Sequence, residues 1–272
     1  MASYDALIEW FRSRGSALVA YSGGVDSTLL AKAACDALAD RAVAVTAVSA
    51  SLAPVELEEA SELAARIGIT HLLETSGETA LPKYLVNDGD RCYHCKTELY
   101  GICGRVAAER GLSVIVNGLN TDDLSDHRPG NRAADEAGVY SPFIELGFDK
   151  VAIREHSRRL GLPTADKPEL ACLASRFPTG TPITINGLER VAAAEEVVAG
   201  LGFTQYRVRF HGDLARVEVP AREIGRLADD ELRERLLDGV RGAGFRFVTV
   251  DLSGYARGSS NALSMAEVVE GN

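Results

Sequence analysis

Ser22-Gly23-Gly24-Val25-Asp26-Ser27 carries the residue types that hold a phosphate. Two adjacent glycines let the main chain approach an anion closely and take up φ > 0, and Ser22 and Ser27 add hydroxyl donors on either side. The apolar run Ala17–Tyr21 stops at the glycines and a helical pattern resumes at Ser27, so the stretch reads as strand, tight loop and helix N-terminus. Unpaired N–H groups and the positive end of a helix dipole then face the anion. Asp26 is the odd member, because a carboxylate beside phosphates is repulsive unless a divalent cation lies between them, which implies Mg²⁺.

The loop fits neither GxxxxGK[ST] nor GxGxxG. It resembles, letter for letter, the SGGxDS pyrophosphate loop of the PP-loop ATP pyrophosphatases. That resemblance implies ATP as cofactor, cleaved between its α- and β-phosphates to activate a substrate as the adenylate.

Cysteines form the second set. Cys92-Tyr93-His94-Cys95 is a CxxC in a polar segment, which suits zinc, an iron–sulfur cluster or a redox dithiol. No second CxxC or HxxxH follows to complete four zinc ligands. Cys172 lies in the irregular stretch ELACLASRFPTG, with Arg176 one turn away to lower its pKa. Cys35 and Cys103 sit in helical patterns and read as small buried hydrophobes. At the end of the apolar run SVIV, Asp122 and Asp123 are placed to join Asp26 on one rim of a sheet, or to form a solvated Asx-rich turn. Arg128 to Arg132, RPGNR, reads as an anion clamp or a mobile loop.

The elements that must position these groups alternate. AVAVTAVS at Ala42–Ser49 reads as a buried parallel strand, Pro54–Gly68 as a helix, His71–Leu73 as a short strand, Glu98–Arg110 as a helix, Ser113–Val116 as a strand and Val151–Leu160 as a helix. Such alternation predicts an α/β fold with a doubly wound parallel sheet whose ligand sits at the carboxyl ends of the strands. Crowded prolines and glycines after Pro163 mark a boundary, giving a pyrophosphatase domain over 1–166 and a smaller α+β domain over 167–272 for substrate binding or oligomerisation. In the second domain, a helix over Asn186–Leu201, a hairpin of Gln205–Phe210 and Leu214–Val219, a helix over Ala221–Val240 and a strand over Phe245–Asp251 are expected.

Charge and composition exclude some classes. Lys and Arg total 29 against 39 Asp and Glu, a net −10 that disfavours an electrostatic grip on nucleic acid. No apolar run approaches the ~20 residues of a membrane span, and MASYDALIEWFRSRG is an amphipathic helix pattern without a signal core, so a cytoplasmic protein with no membrane partner is expected. Five cysteines in that setting read as thiols or metal ligands.

Taken together, SGGVDS, DRCYHCK, NTDDLSDHRPG, ACLASR, YRVRFHGDLARVEV and VDLSGYARGSSN resemble the LarE family of ATP-dependent sulfur transferases over nearly the whole chain. The resemblance implies insertion of sulfur into an adenylylated pyridinium dicarboxylate mononucleotide, on the way to a nickel-pincer nucleotide. It implies a [4Fe-4S] cluster on Cys92, Cys95 and Cys172, or, in members without the CxxC, sacrificial donation of sulfur from the position matching Cys172. Under it, Ser22, Gly23, Gly24, Asp26, Ser27 and Asp122 hold the nucleotide and Cys172 and Asp26 are catalytic. Arg176, Arg207, Arg209, Arg216 and Arg257 then bind the substrate's phosphate or carboxylates, since a dianion favours a forked guanidinium. A homo-oligomer is expected. The rival readings are an amidotransferase-type synthetase, a tRNA-thiolating enzyme and a nucleotide-binding sensor without activity.

Overall fold

Alanine and valine fill the central strands, where both faces must be covered. In the computed structural model, which describes residues 2–125, 129–168 and 171–256, β1 (Ala17–Ala20) lies between β2 (Ala42–Val48) and β4 (Val114–Val116). β3 (Thr70–Thr75) pairs outside β2, and all four strands run parallel in the order β3-β2-β1-β4. The expected doubly wound parallel sheet is therefore the sheet observed. Strand order reverses at β1, and the crevice outside the carboxyl ends of β1 and β4 is where such a sheet takes its ligand.

Helices cover both faces. α1 (Tyr4–Arg14), α2 (Val25–Leu38) and α3 (Pro54–Ile67) pack with Ala17, Val19, Ala42 and Ala44 on one side. On the other side Leu18, Val43 and Val45 meet Ile102, Cys103 and Val106 of α5 (Arg91–Arg110). Between β3 and α5 comes the short α4 (Pro82–Leu85); after β4 come α6 (Pro129–Glu136), α7 (Pro142–Glu145) and α8 (Lys150–Arg159).

α5 begins seven residues before the expected start at Glu98. Its first two turns, RCYHCKT, offer no apolar stripe because most of their side chains are exposed or half-buried, so periodicity could not find them. The CxxC, met in the sequence as a polar segment, accordingly stands on a helix.

The chain divides into two units, Met1–Leu81 with Asp90–Leu170, and Pro82–Gly89 with Ala171–Asn272. Within the second, α9 (Ile185–Gly200) precedes β5 (Arg207–His211) and β6 (Leu214–Glu218), an antiparallel pair turned at Gly212 (φ 66°). β7 (Phe247–Val250) then runs parallel to β6. The long helix expected over Ala221–Val240 is two pieces. A 3-10 stretch, Ala221–Ala228, ends at Asp229, whose side chain accepts from Leu232 N–H and caps α10 (Asp230–Gly242). Segment 82–89 is fastened into this unit by Asn87, whose amide donates to the carbonyls of Pro178 and Thr181, both at 2.9 Å. Among the described residues no helix is long and apolar enough to cross a membrane.

Candidate active site: a glycine loop, two carboxylates and a lysine

Gly24 is the N-cap of α2, so the helix opens at Val25 and Asp26 stands in its first turn rather than in the loop. The first helical bond runs from Thr28 N–H to Gly24 O at 2.9 Å, and the amides of Val25, Asp26 and Ser27 precede that ladder. Gly23 adopts φ 71°, and a Cβ there would lie 2.7 Å from that of Ala60. The glycine thus serves both the turn and the close approach of α3. Ser22 and Ser27 hold each other across the loop, Oγ to Oγ at 3.1 Å, while Ser22 N–H donates to Ser27 Oγ at 3.2 Å.

The carboxyl end of β4 presses on this turn: a Cβ on Gly118 would come within 3.1 Å of both Asp26 Cβ and Ser27 N. Asn120 follows and donates its amide to Asp26 Oδ1 at 3.3 Å. Asn120 also accepts from Asp122 N–H at 3.0 Å, which sets the turn that carries Asp122. Asp26 and Asp122 are joined through one residue, Lys150 at the start of α8. Its Nζ lies 2.7 and 2.8 Å from the two oxygens of Asp26, and its N–H donates to Asp122 Oδ2 at 3.0 Å. Lys150 thus holds Asp26 by its ammonium and Asp122 by its main-chain N–H, while Asp123, the third carboxylate expected on this rim, accepts from Asn120 N–H at 3.1 Å.

The cysteines sort as their helices dictate. Cys92 and Cys95 are three residues apart at the N-terminus of α5, the former exposed and the latter half-buried, with Arg91 Nη2 3.8 Å from Cys92 Sγ. Tyr93 between them is covered by Arg132, whose guanidinium carbon sits 3.9 Å from the ring centroid, and its hydroxyl donates to Glu136 at 2.6 Å. Arg132 of the RPGNR segment is therefore packed on the CxxC turn; Arg128 lies outside the described residues. Cys103 is buried and its thiol pushed up to about 12 by desolvation. Cys35 is half-buried, raised first by desolvation, and donates to Ile67 O. Cys172 is exposed and extended ahead of the 3-10 turn Leu173–Arg176. Among the described residues of either unit, no three His, Cys, Asp or Glu side chains converge as a metal site.

Four of the five arginines lie in the second unit's framework; Arg257 is outside the described residues. Alternation puts Arg207 and Arg209 on one face of β5, with Arg216 and Glu218 opposite them on β6. Arg209 makes two bonds to Glu218, at 3.0 and 2.9 Å, and Arg216 reaches the same carboxylate at 3.2 Å and Asp251 at 3.4 Å. Arg176, 2% exposed, forks onto Glu195 with two bonds of 2.8 Å and donates to the main-chain carbonyl of Cys172 at 3.0 Å. The guanidinium thus reaches Cys172 one turn away, at its main-chain carbonyl. Arg207 is buried against the ring of Tyr255; desolvation and then the field of Arg176 lower its pKa.

No family model matches the chain. A protein of Synechocystis sp. is 46% identical over 94% of this chain and 96% of its own length. The pyridinium-3,5-bisthiocarboxylic acid mononucleotide synthase of Lactiplantibacillus plantarum is 36% identical, covering 89% of this chain and 88% of that protein. The chain belongs to the LarE family. The tRNA-specific 2-thiouridylase MnmA of Acidiphilium cryptum, 27% identical over 86% of this chain and 80% of that protein, is a PP-loop relative.

Together these place the chain among the enzymes of the PP-loop ATP pyrophosphatase family. Against that membership, the residues that sequence reasoning missed are informative. Lys150, one residue before the helix expected from Val151, carries no motif of its own, yet its ammonium is the cation against Asp26; its position right after Asp149, an N-cap whose side chain accepts from Ala152 N–H, was the available signal.

Proposed function

We propose that the chain is an ATP-dependent sulfur transferase that adenylylates a pyridinium dicarboxylate mononucleotide and converts its carboxylate to a thiocarboxylate. What carries the reading is the near full-length similarity to a pyridinium bisthiocarboxylate synthase in a chain that also builds a phosphate loop with Asp26 in its first helical turn. The amides ahead of Thr28 and the hydroxyls of Ser22 and Ser27 bind ATP's phosphates, and Asp26 with Asp122 holds Mg²⁺. A substrate carboxylate attacks the α-phosphorus and pyrophosphate leaves. Sulfide then displaces AMP from the adenylate.

Three thiols suit an iron–sulfur cluster better than zinc, which wants four ligands. Cys92 and Cys95 offer a helix-turn pair at a solvent-facing N-terminus, and Cys172 is an exposed thiol of the other unit; all three are thiols of the kind such a cluster takes, and the LarE resemblance is what assigns the cluster to them. Such a cluster, held by these three thiols, would supply the sulfur chemistry and would spare the protein's own cysteine sulfur. Arg207 suits the substrate's phosphate, because a buried guanidinium in the field of Arg176 gains from an anion; Arg176, Arg209 and Arg216, each bonded to a buried glutamate, hold that face in shape.

The test is anaerobic reconstitution with iron and sulfide analysis, followed by sulfur transfer to the adenylylated precursor. Replacing Cys92, Cys95 or Cys172 by Ala should lower iron content and transfer together. A wild type that binds no iron, yet loses the elements of H₂S from Cys172 in intact-mass measurement, refutes the cluster in favour of sacrificial donation. Absence of precursor-dependent pyrophosphate release refutes the enzyme reading altogether.

A further inference from the structure

Asp26 and Asp122 belong to different elements, α2 and the turn after β4, so the spacing of their carboxylates depends on the side chains that tie them. Lys150 is one tie, with its ammonium on Asp26 and its main-chain N–H on Asp122. Asn120 is another, and it is uncharged. Its amide nitrogen donates to Asp26 Oδ1 at 3.3 Å, its amide oxygen accepts from Asp122 N–H at 3.0 Å, and its main-chain N–H donates to Asp123 Oδ2 at 3.1 Å. The residue is 1% exposed, so water does not stand in for the amide. The same turn is anchored from behind by Thr121, whose N–H and hydroxyl both donate to Phe148 O, at 3.0 and 3.1 Å.

The two ties respond differently to a divalent cation. An ammonium and a metal ion compete for one carboxylate and repel each other, so a cation arriving at Asp26 displaces Lys150. A neutral amide meets no such repulsion and keeps its hold on the carboxylate. Oxygen donors are what a hard cation takes, but cations differ in tolerance: Mg²⁺ demands a near-octahedral shell at about 2.0–2.1 Å, whereas Ca²⁺ accepts looser shells at about 2.3–2.6 Å. A carboxylate pair held at one spacing suits the strict shell and penalises the larger ion, while a loose pair serves both.

We propose that Asn120 is a positioning residue that fixes the spacing of Asp26 and Asp122 and so makes nucleotide binding selective for Mg²⁺ over a larger cation. The inference rests on the reading of the glycine loop and these two carboxylates as a site for ATP with Mg²⁺.

The test is equilibrium binding of α,β-methylene-ATP, which resists cleavage at the bond the reaction breaks, to the full chain in saturating Mg²⁺, in saturating Ca²⁺ and in EDTA. Wild type should bind the Mg²⁺ complex roughly tenfold or more tightly than the Ca²⁺ complex, the worth of one hydrogen bond to a charged group. Asn120→Ser removes the donor to Asp26 while its hydroxyl can still accept from Asp122 N–H, and the ratio should fall to within about twofold through weaker Mg²⁺ binding. Asn120→Asp keeps the shape and the acceptor but sets a like charge against Asp26, and it should lose the preference as well. A merely structural role would weaken both complexes alike. A folded Asn120 variant that keeps the wild-type ratio therefore overturns the inference alone, as does a wild type that binds both complexes equally. Nucleotide binding undiminished in EDTA refutes the cation reading, and absence of binding under every condition refutes the nucleotide reading; the inference falls with either. The wild-type comparison needs neither variant to fold.

Discussion

Replacing Lys150 by Ala separates two jobs that the geometry gives it. Its ammonium lies 2.7 and 2.8 Å from the Asp26 oxygens, with the two side chains 23% and 24% exposed. At about 4 Å between charge centres and an effective dielectric of about 20, the gross attraction is about 4 kcal/mol. Desolvation and the ordering of the lysine chain offset most of it, leaving about 1 kcal/mol of stability for a pair this wet. Urea unfolding of Lys150→Ala should therefore shift by about that amount, a few degrees in Tm for a unit of this size. Nucleotide binding should suffer more. If Mg²⁺ takes Asp26, as proposed, the ammonium can turn to a phosphate oxygen, and a charge-assisted bond of about 1.5–3 kcal/mol corresponds to roughly 10- to 100-fold in Kd for ATP. Lys150→Arg should recover part of the loss, since charge returns on a differently shaped head. The assay pairs equilibrium ATP binding with urea unfolding on each variant. A Kd within twofold of wild type, alongside the expected loss of stability, would show that Lys150 merely pins Asp26, and the reasoning would fail.

Three further outcomes follow from the same arrangement. Asp26→Ala should abolish precursor-dependent pyrophosphate release while the urea midpoint moves by no more than about 1 kcal/mol, because the residue is partly solvated and acts through Mg²⁺; unchanged release would sink the loop assignment. Glu218→Gln should destabilise the protein by about 3–5 kcal/mol, since the fully buried carboxylate answers both Arg209 and Arg216; a loss below about 1 kcal/mol in urea titration would contradict that. Native alkylation with iodoacetamide between pH 7 and 9 should label Cys92 and spare Cys103, whose thiol is raised to about 12 and so gains thiolate only well above that window; peptide mapping that finds Cys103 modified in folded protein would count against its burial.

Much of the first unit was legible because its signals are local and redundant. β1 and β2 are unbroken apolar runs, Gly68 and Gly111 cap α3 and α5 in the left-handed region, and the loop between Ala20 and Val25 spells its own turn. The start of α5 was hidden, since Arg91 to Thr97 obey helix geometry without burying a stripe. The Asp229 cap was hidden for the opposite reason: charged residues run on through Asp230 and Glu231, so periodicity alone joins two helices that a side-chain bond divides. At the site, the loop and Asp122 could be read from spacing, whereas Lys150 needs the sheet to bring residues 124 positions apart together. The arginines were found by type, yet their partners Glu195 and Glu218 were not, because ion pairing across a hairpin and a helix depends on register rather than on neighbours in sequence.

Asn87 has a consequence for how the protein is made. Its amide holds Pro178 and Thr181, while its carbonyl accepts from Gly180 N–H at 2.8 Å and Leu85 O accepts from Ile183 N–H at 2.9 Å. Segment 82–89 thus leaves the ribosome some ninety residues before the partners it is built to hold. During synthesis the first unit must close around a gap in its own chain, with residues 82–89 paid out as a tether until the later segment arrives. A gene fragment that begins at Ala171 encodes that later segment without its anchor, so the two units divide by contact and not by any single cut.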